Sequence, residues 1–317
     1  MKKSALDRAL GSIKEIMPKT LKTCLWLIRI TTLVTLGVLF LEYFGILPHI
    51  SRFLNPLFNL MGLPGEAALA FVSGYFVNVY SAIAVISTLS MDLRSVTILA
   101  TMILCAHNMI TETAVQKKTG SSAIRMVSVR TLSAFAAGFA MNIIMPEAAE
   151  SVNIAPIEVQ LTLAEMLQAW FFKTLKLIIM MTILIFSLSI VQRLLAEFGV
   201  IKWLSNILRP VLAIFGLPAK TSFLWIVANT LGLAYGAAVM IDETESGKIT
   251  RQDVDLLNHH IGISHSNLED VLLVASVGAI IWWMLAVRWA LSFLLVWELR
   301  LETAIRKKML TLPFEAR

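Results

Sequence analysis

The stretch Leu257–Asp270 reads LNHHIGISHSNLED and places titratable, hydrogen-bonding side chains within an otherwise apolar region. Its imidazoles include His260 and His265, and two acids follow them. Ionisable side chains are costly inside a membrane, so there they mark an ion or substrate path. An earlier stretch, Leu104–Gln116 or LCAHNMITETAVQ, matches it with His107 set against His260. We therefore expect the two stretches to act together.

The composition identifies the class of protein. Hydrophobic residues make up 57% of the 317 residues, charged residues make up 15%, and the mean hydropathy is +0.77. Such a chain would aggregate as a soluble domain, so the sequence predicts an all-α polytopic membrane protein. Lys and Arg lie at the ends of apolar runs, which is typical of topology signals and not of nucleic-acid binding. The two cysteines have no paired spacing, so no disulfide framework is indicated.

The chain repeats itself. The segment FGILPHISRFLNPLFNLMGLP from Phe44 aligns with FGVIKWLSNILRPVLAIFGLP from Phe198. Because glycines and prolines are among the identities, the breaks between helices recur together with the hydrophobic pattern. Each unit is predicted to contain a long span, an interfacial helix, a segment rich in Gly and Asn, a broken His-bearing helix and a final span. The matched pairs include Gly45/Gly199, Pro56/Pro210, Gly62/Gly216 and Pro64/Pro218.

The third element of each unit decides the topology. Gly65–Leu89 and Ala219–Ile241 are each long enough for one span or for two half-helices folded into a re-entrant hairpin. If both fold back, the chain has six spans plus two hairpins, and most Lys and Arg lie on the cytoplasmic side with both termini. The odd number of spans per unit then makes the repeats inverted. The alternative is two unbroken spans that use Gly for close packing. Residues that favour the hairpins are Gly74, Asn78, Tyr80, Ser81, Asn229, Thr230, Gly232, Tyr235 and Gly236.

The predicted organisation follows from this pattern and places the chain in a bacterial cytoplasmic (inner) membrane. Six Lys and Arg residues interrupt the first apolar run, which favours a helix lying on the inner membrane surface over a signal peptide. The segments are 1–20 (N-terminal amphipathic interfacial segment), 21–146 (first repeat), 147–174 (external linker), 175–298 (second repeat) and 299–317 (cytoplasmic tail).

The local sequences AHNMITETAVQKKTG from Ala106 and NHHIGISHSNLED from Asn258 resemble the Gate, or "nucleoside recognition", membrane family. That family takes in the membrane part of FeoB-type ferrous iron transporters and small spore-maturation membrane proteins. The order of elements also resembles the transport core of concentrative nucleoside transporters. The resemblance implies that hairpin tips and broken helices meet at mid-membrane and hold a substrate. The chain departs from FeoB in lacking a GxxxxGK[ST] nucleotide loop.

Three kinds of chemistry fit the polar residues. A divalent metal such as Fe(II) or Zn(II) would suit a set made of His107, Glu112, His260 and His265. A proton relay would use His107, Glu112, His260 and Glu269. A neutral polar solute would be hydrogen-bonded by amides and hydroxyls. The full predicted substrate-binding set is Asn78, Ser81, His107, Asn108, Glu112, Thr113, Asn229, Thr230, His260, Ser264, His265, Ser266 and Asn267.

Structural roles compete with these functional interpretations. The histidines could hold one helix to another through hydrogen bonds. Asp270, more than Glu269, is expected to cap the last helix, because acids favour a helix N-terminus. Arg288 is expected to extend its charged end towards the membrane interface.

The sequence thus predicts a secondary transporter or channel-like gate for a small polar or ionic solute, either a divalent metal cation or a nucleoside-like molecule. The competing hypothesis is a non-transporting membrane component that assembles with another Gate-type protein. No nucleophile–base pair or nucleotide loop indicates an enzyme. Expected partners are the lipid bilayer, the solute or ion, and a second copy or second Gate-type protein, but no nucleic acid. No cofactor is expected beyond a divalent metal ion as substrate or ligand.

Overall fold

The computed structural model of the chain describes residues 4–147, 162–230, 232, 239–241, 243–244 and 247–311. The regular secondary structure of the described part is entirely helical, with no strand, which confirms the all-α class. Of the predicted hairpin residues, Tyr235 and Gly236 lie outside the described residues. The helices are α1 (Ala5–Tyr43), α2 (Leu47–Asn59), α3 (Ala67–Phe76), α4 (Val79–Ile86), α5 (Leu93–Ala106), α6 (Met109–Lys118), α7 (Ala123–Ile144), α8 (Leu163–Glu197), α9 (Val200–Ile214), α10 (Ser222–Thr230), α11 (Arg251–Ile263), α12 (Glu269–Ala275) and α13 (Ile281–Thr311).

Long apolar helices dominate the described part of the chain. Four helical stretches there are long and apolar enough to cross a membrane: 5–43, 93–118, 123–144 and 163–197. The helix α1 runs without a break through Pro18, so the predicted interfacial segment and the first span form one helix of 39 residues. The helix α8 begins at Leu163, inside the predicted linker, and α13 continues to Thr311, inside the predicted tail.

The two long helices α1 and α8 pack against each other. At 1.5 Å per residue, each is longer than the roughly 30 Å apolar core of a bilayer, so their ends extend beyond it. Inside the contact, Trp170 Nε1 donates to Thr35 Oγ1 at 3.0 Å, and Thr35 Oγ1 lies 3.3 Å from Thr174 Oγ1. These bonds satisfy polar groups that would otherwise face apolar surroundings.

The short helices α3 and α4 lie side by side. A side chain added at Gly74 on α3 would meet Ala82 Cβ on α4 at 3.1 Å, so the backbones approach closely where Gly74 leaves room. The chain changes direction at Val77 and Asn78, and Asn78 Oδ1 then accepts the backbone N–H of Ser81 at 2.9 Å. Asn78 therefore supplies the N-cap that starts α4.

Each half of the chain contains one broken helix with the same backbone geometry. The helix α5 ends before His107, Asn108 is left-handed with φ 48°, and α6 follows. The helix α11 ends at Ile263, Ser266 is left-handed with φ 49°, and α12 follows. Among the described residues, Asn108 and Ser266 are the only non-glycine residues with positive φ. Such a backbone is costly for a residue with a side chain and persists only where the surroundings hold it.

Two fully buried arginines hold these breaks. In the first half, Arg130 on α7 donates to the freed carbonyls of Cys105 (3.2 Å) and His107 (2.7 Å). In the second half, Arg288 on α13 donates to the carbonyls of Ile263 and His265, both at 2.8 Å. The interior position of Arg288 corrects the expectation that its charged end would reach the membrane interface. The helix break supplies acceptors that an intact helix would have used itself.

The matching bonds also correct the predicted pairing of the halves. Because Arg130 corresponds to Arg288 in these contacts, His107 corresponds to His265 and not to His260. The N–H of Asn108 donates to the carbonyl of Gly74 (2.8 Å), and that of Ser266 donates to the carbonyl of Ala228 (3.2 Å). Each broken helix is therefore joined to the C-terminal part of a short helix from the same half, α3 in the first half and α10 in the second.

Candidate functional site

Side chains from both broken helices meet at one buried point. His107 Nε2 lies 3.1 Å from Glu112 Oε1 and 3.3 Å from Asp270 Oδ2. On the other side, His265 Nε2 lies 3.2 Å from the same Glu112 Oε1. The imidazole rings of His107 and His265 are tilted by 33° with centroids 5.0 Å apart. Each half of the chain thus contributes one imidazole and one carboxylate, and all four side chains are buried or nearly so.

Hydrogen bonds to the backbone show that Nδ1 carries a proton in both imidazoles. His107 Nδ1 lies 3.2 Å from the carbonyl of Ile103, and His265 Nδ1 lies 2.6 Å from the carbonyl of Ile261. A carbonyl oxygen only accepts, so both Nδ1 atoms must carry the proton. In a neutral ring the Nε2 atom then has a free lone pair, and in both residues that atom faces the oxygen of Glu112. Two acceptors at this distance need a proton or a cation between them.

Arg130 anchors the carboxylate of this cluster. Its Nη2 lies 2.8 Å from Glu112 Oε2, an ion pair by distance whose atoms are not aligned for a hydrogen bond. The opposite oxygen, Oε1, remains directed at the imidazoles. The carboxylate is therefore oriented from behind, as outer partners orient metal ligands in proteins. The equivalent Arg288 bonds Asn267 Oδ1 at 3.0 Å instead of a carboxylate.

The cluster could hold a metal ion. Nitrogen and oxygen ligand atoms of His107, Glu112 and His265 all lie within 4.8 Å of one another. They line a cavity of about 230 Å³ to which Asp270 also contributes. Other residues that line the cavity are Asn78, Val79, Tyr80, Asn108, Thr111, Val115, Gly232, Ser266 and Glu269.

Several predicted binding residues frame the site. Asn267 Nδ2 donates to Asn229 Oδ1 (2.6 Å) and to Ser264 Oγ (3.2 Å), which ties the second break to α10. Thr230 Oγ1 donates to the carbonyl of Ile226 within its own helix. Thr113 is buried on α6, where its hydroxyl lies 3.5 Å from the sulfur of Met109. Apart from His107, Glu112 and His265, the predicted site residues that line the cavity are Asn78, Asn108, Ser266 and Glu269.

His260 does not belong to this cluster, which corrects the grouping with His107 that the sequence suggested. It is fully buried on α11, where Trp225 Nε1 donates to its Nδ1 at 3.2 Å and the ring of Phe215 packs edge-on at 5.0 Å. Five residues separate His260 from His265. His260 lies within α11, whereas His265 lies beyond the end of that helix at Ile263, so the two rings have different surroundings.

Asp270 and Arg130 were not predicted as parts of the site. Asp270 had been assigned to helix capping, but its Oδ2 faces His107. A signal for Arg130 existed in the sequence, because an arginine interrupts apolar helical sequence in both halves, at Arg130 and Arg288. Intramembrane ionisable residues usually face the protein interior and pair with carboxylates or carbonyls.

The fold and the site together define the class of protein: an all-α membrane protein with a buried cluster of imidazoles and carboxylates. Residues 24–149, which carry the first broken helix, match the family model described as "Gate: Nucleoside recognition". The chain is also 29% identical over 266 residues to "Uncharacterized membrane protein YvoD" of Bacillus subtilis (strain 168), across 83% of this chain and 85% of that relative. No solved structure matches. Over residues 24–149, this match confirms the resemblance to the Gate family that the sequence indicated.

Proposed function

We propose that the protein is a membrane carrier for a divalent transition-metal cation such as Fe(II) or Zn(II). The cation would bind between His107 Nε2, His265 Nε2 and Glu112 Oε1. Asp270, now 3.3 Å from His107 Nε2, would move in as a fourth ligand. Imidazole nitrogen and carboxylate oxygen are ligands that these borderline metals accept. This set replaces the predicted one that contained His260.

The observation that carries the proposal is the convergence of His107 Nε2 and His265 Nε2 on one oxygen of Glu112, while both Nδ1 atoms are bonded to backbone carbonyls. The separations of Glu112 Oε1 from His107 Nε2 and from His265 Nε2, 3.1 and 3.2 Å, are close to the edge of a ligand tetrahedron. With metal–ligand bonds of about 2.0 Å, that edge is about 3.3 Å. The Nδ1 bonds to backbone carbonyls supply the outer partner that metal-bound histidines usually have.

The proposed architecture gives both halves of the chain a share in the site. Six spans, two re-entrant hairpins and inverted repeats would place the broken helices at mid-membrane, as in carriers with internal repeats. The distribution of Lys and Arg supports cytoplasmic termini in a bacterial inner membrane. The short helices α3 and α4, packed side by side and joined to the first break through Gly74, suit the role of the first hairpin.

Metal binding to the purified protein tests the proposal. Titration in detergent with Zn(II) or Co(II) should show one binding site. The double change His107→Gln plus His265→Gln should weaken the affinity at least about 100-fold, because loss of a residue that only orients a ligand already costs about 10- to 100-fold. The control is His260→Asn, which keeps an acceptor for Trp225 and should leave the affinity unchanged. Proteoliposomes should take up the metal with the wild type and the control only. Equal affinity in all three proteins would refute the site.

A nucleoside-like solute is the second candidate, and the description of the matched family favours it. Asn78 and Asn108 would offer hydrogen bonds from the cavity wall. A ligand that binds the folded state must stabilise it. Thermal stabilisation by nucleosides but not by metal salts would therefore select this candidate. Stabilisation by neither, with stable co-purification of another membrane protein, would select the non-transporting alternative.

A further inference from the structure

A second, larger cavity lies between α1 and α8. Its volume is about 420 Å³, and its lining includes the polar side chains of Thr20, Thr23, Ser189 and Gln192. Its outer part is formed by charged residues that are exposed or partly exposed, namely Glu15, Lys19 and Arg193. A polar cavity with charged residues at its mouth is suited to water and ions.

Glu269 lines both this cavity and the central one that contains the imidazoles. Its two carboxylate oxygens are held from opposite sides. Tyr80 on α4 donates its hydroxyl to Oε1 at 2.9 Å, and Gln192 on α8 donates its amide to Oε2 at 3.1 Å. Three elements, α4, α8 and α12, are thereby joined across the boundary between the two cavities.

We propose that Glu269, held by Tyr80 and Gln192, is the gate through which a cation passes between the outer cavity and the central site. The proposal rests on the proposed function, because it takes the central cluster as the destination. Release of one hydrogen bond would let the carboxylate swing aside without disturbing His107 or Glu112. When ionised, this carboxylate would also attract cations to the boundary between the two cavities.

Binding kinetics of Co(II) test the gate in the full-length protein. A change that only lowers the barrier speeds association and dissociation equally and leaves the Kd unchanged. Tyr80→Phe removes one hydrogen bond of the gate, so both rates should rise about three- to tenfold. The matched control is Tyr75→Phe, which loses a hydroxyl contact to Thr131 of the same length, 2.9 Å, away from both cavities. Its rates should equal those of the wild type.

Three results would overturn the gate. Unchanged rates in Tyr80→Phe would do so, as would an equal effect in Tyr75→Phe. A change in one rate alone, with a shifted Kd, would place Tyr80 among the binding groups instead. If Tyr80→Phe does not fold, Gln192→Leu removes the other hydrogen bond and carries the same expectations.

Thiol labelling tests the gate without any metal. In a chain whose Cys24 and Cys105 are replaced by Ala, Val79→Cys places a thiol on the wall of the central cavity. Adding Tyr80→Phe should speed its reaction with a small water-soluble reagent about three- to tenfold. Ile83→Cys, fully buried one turn further along α4, should not react faster. Faster labelling without Co(II) binding would support Glu269 as the gate but refute a divalent metal as the substrate. Co(II) binding with unchanged rates and unchanged labelling would support the metal site but refute the gate.

Discussion

Removing Arg130 should destabilise the protein more than removing its counterpart Arg288. Arg130 donates to two carbonyls of the first break and also faces the buried carboxylate of Glu112 at 2.8 Å. Loss of one partner from a buried ion pair costs about 3–5 kcal/mol, because the other charge is left uncompensated. We therefore expect Arg130→Met to lower the free energy of unfolding by about that amount.

The matched change is Arg288→Met. Arg288 donates to two carbonyls of the second break and to Asn267 Oδ1, but it forms no ion pair with the described residues. Its removal leaves neutral acceptors without a donor, which costs about 1–3 kcal/mol. Equilibrium unfolding in mixed micelles, followed by tryptophan fluorescence, measures both variants.

A third variant isolates the charge. Glu112→Gln in the Arg130→Met background removes the stranded carboxylate, so it should restore about 1–3 kcal/mol of the lost stability. In the wild-type background the same change leaves Arg130 without its counter-ion and should destabilise. If Arg130→Met and Arg288→Met cost the same, and Glu112→Gln restores nothing, the pairing of Arg130 with Glu112 does not stabilise the fold.

Three further predictions concern the breaks, the cluster and a helix start. Ser266 has φ 49°, so Ser266→Gly should leave the melting temperature unchanged or raise it, whereas Ser266→Val should cost about 1–2 kcal/mol. Asp270→Asn should weaken metal binding about 10- to 100-fold in a competition titration, without lowering the stability of the metal-free protein. Thr250 and Asp253 form a capping box at the start of α11, so Thr250→Ala should cost about 1 kcal/mol on unfolding and leave metal affinity unchanged.

Local features of the sequence predicted the class and the places where helices break. Apolar length predicted membrane-type helices, and the polar residues at His107 and His265 marked both breaks. The pairing of the halves was harder. Leu104, His107 and Ile110 align with Leu257, His260 and Ile263, so local similarity favoured His260 as the counterpart of His107. The structure shows a different register because long-range bonds from the arginines define it, and such bonds cannot be read from either stretch alone.

The position of Arg288 shows why an isolated residue is difficult to interpret. A lone arginine in an apolar helix has two low-energy solutions: it reaches the interface, or it finds buried acceptors. The second solution needs a broken helix nearby, because an intact helix uses its own carbonyls. The break before Ser266 supplies those acceptors. Recognising the break and the arginine as one unit would have predicted the interior position.

Each half of the chain contributes one imidazole and one carboxylate to the site, but the two carboxylates are held differently. Glu112 is held by Arg130 from behind, whereas the corresponding Asp270 has no such partner, since Arg288 bonds Asn267 instead. A carrier site needs ligands that hold the cation in place and at least one that can leave it. We expect Glu112 to remain fixed through transport, because moving it would separate a buried ion pair. Asp270, whose carboxylate contacts only the imidazole of His107 among the ion pairs of the described residues, is the ligand that can withdraw when the cation is released.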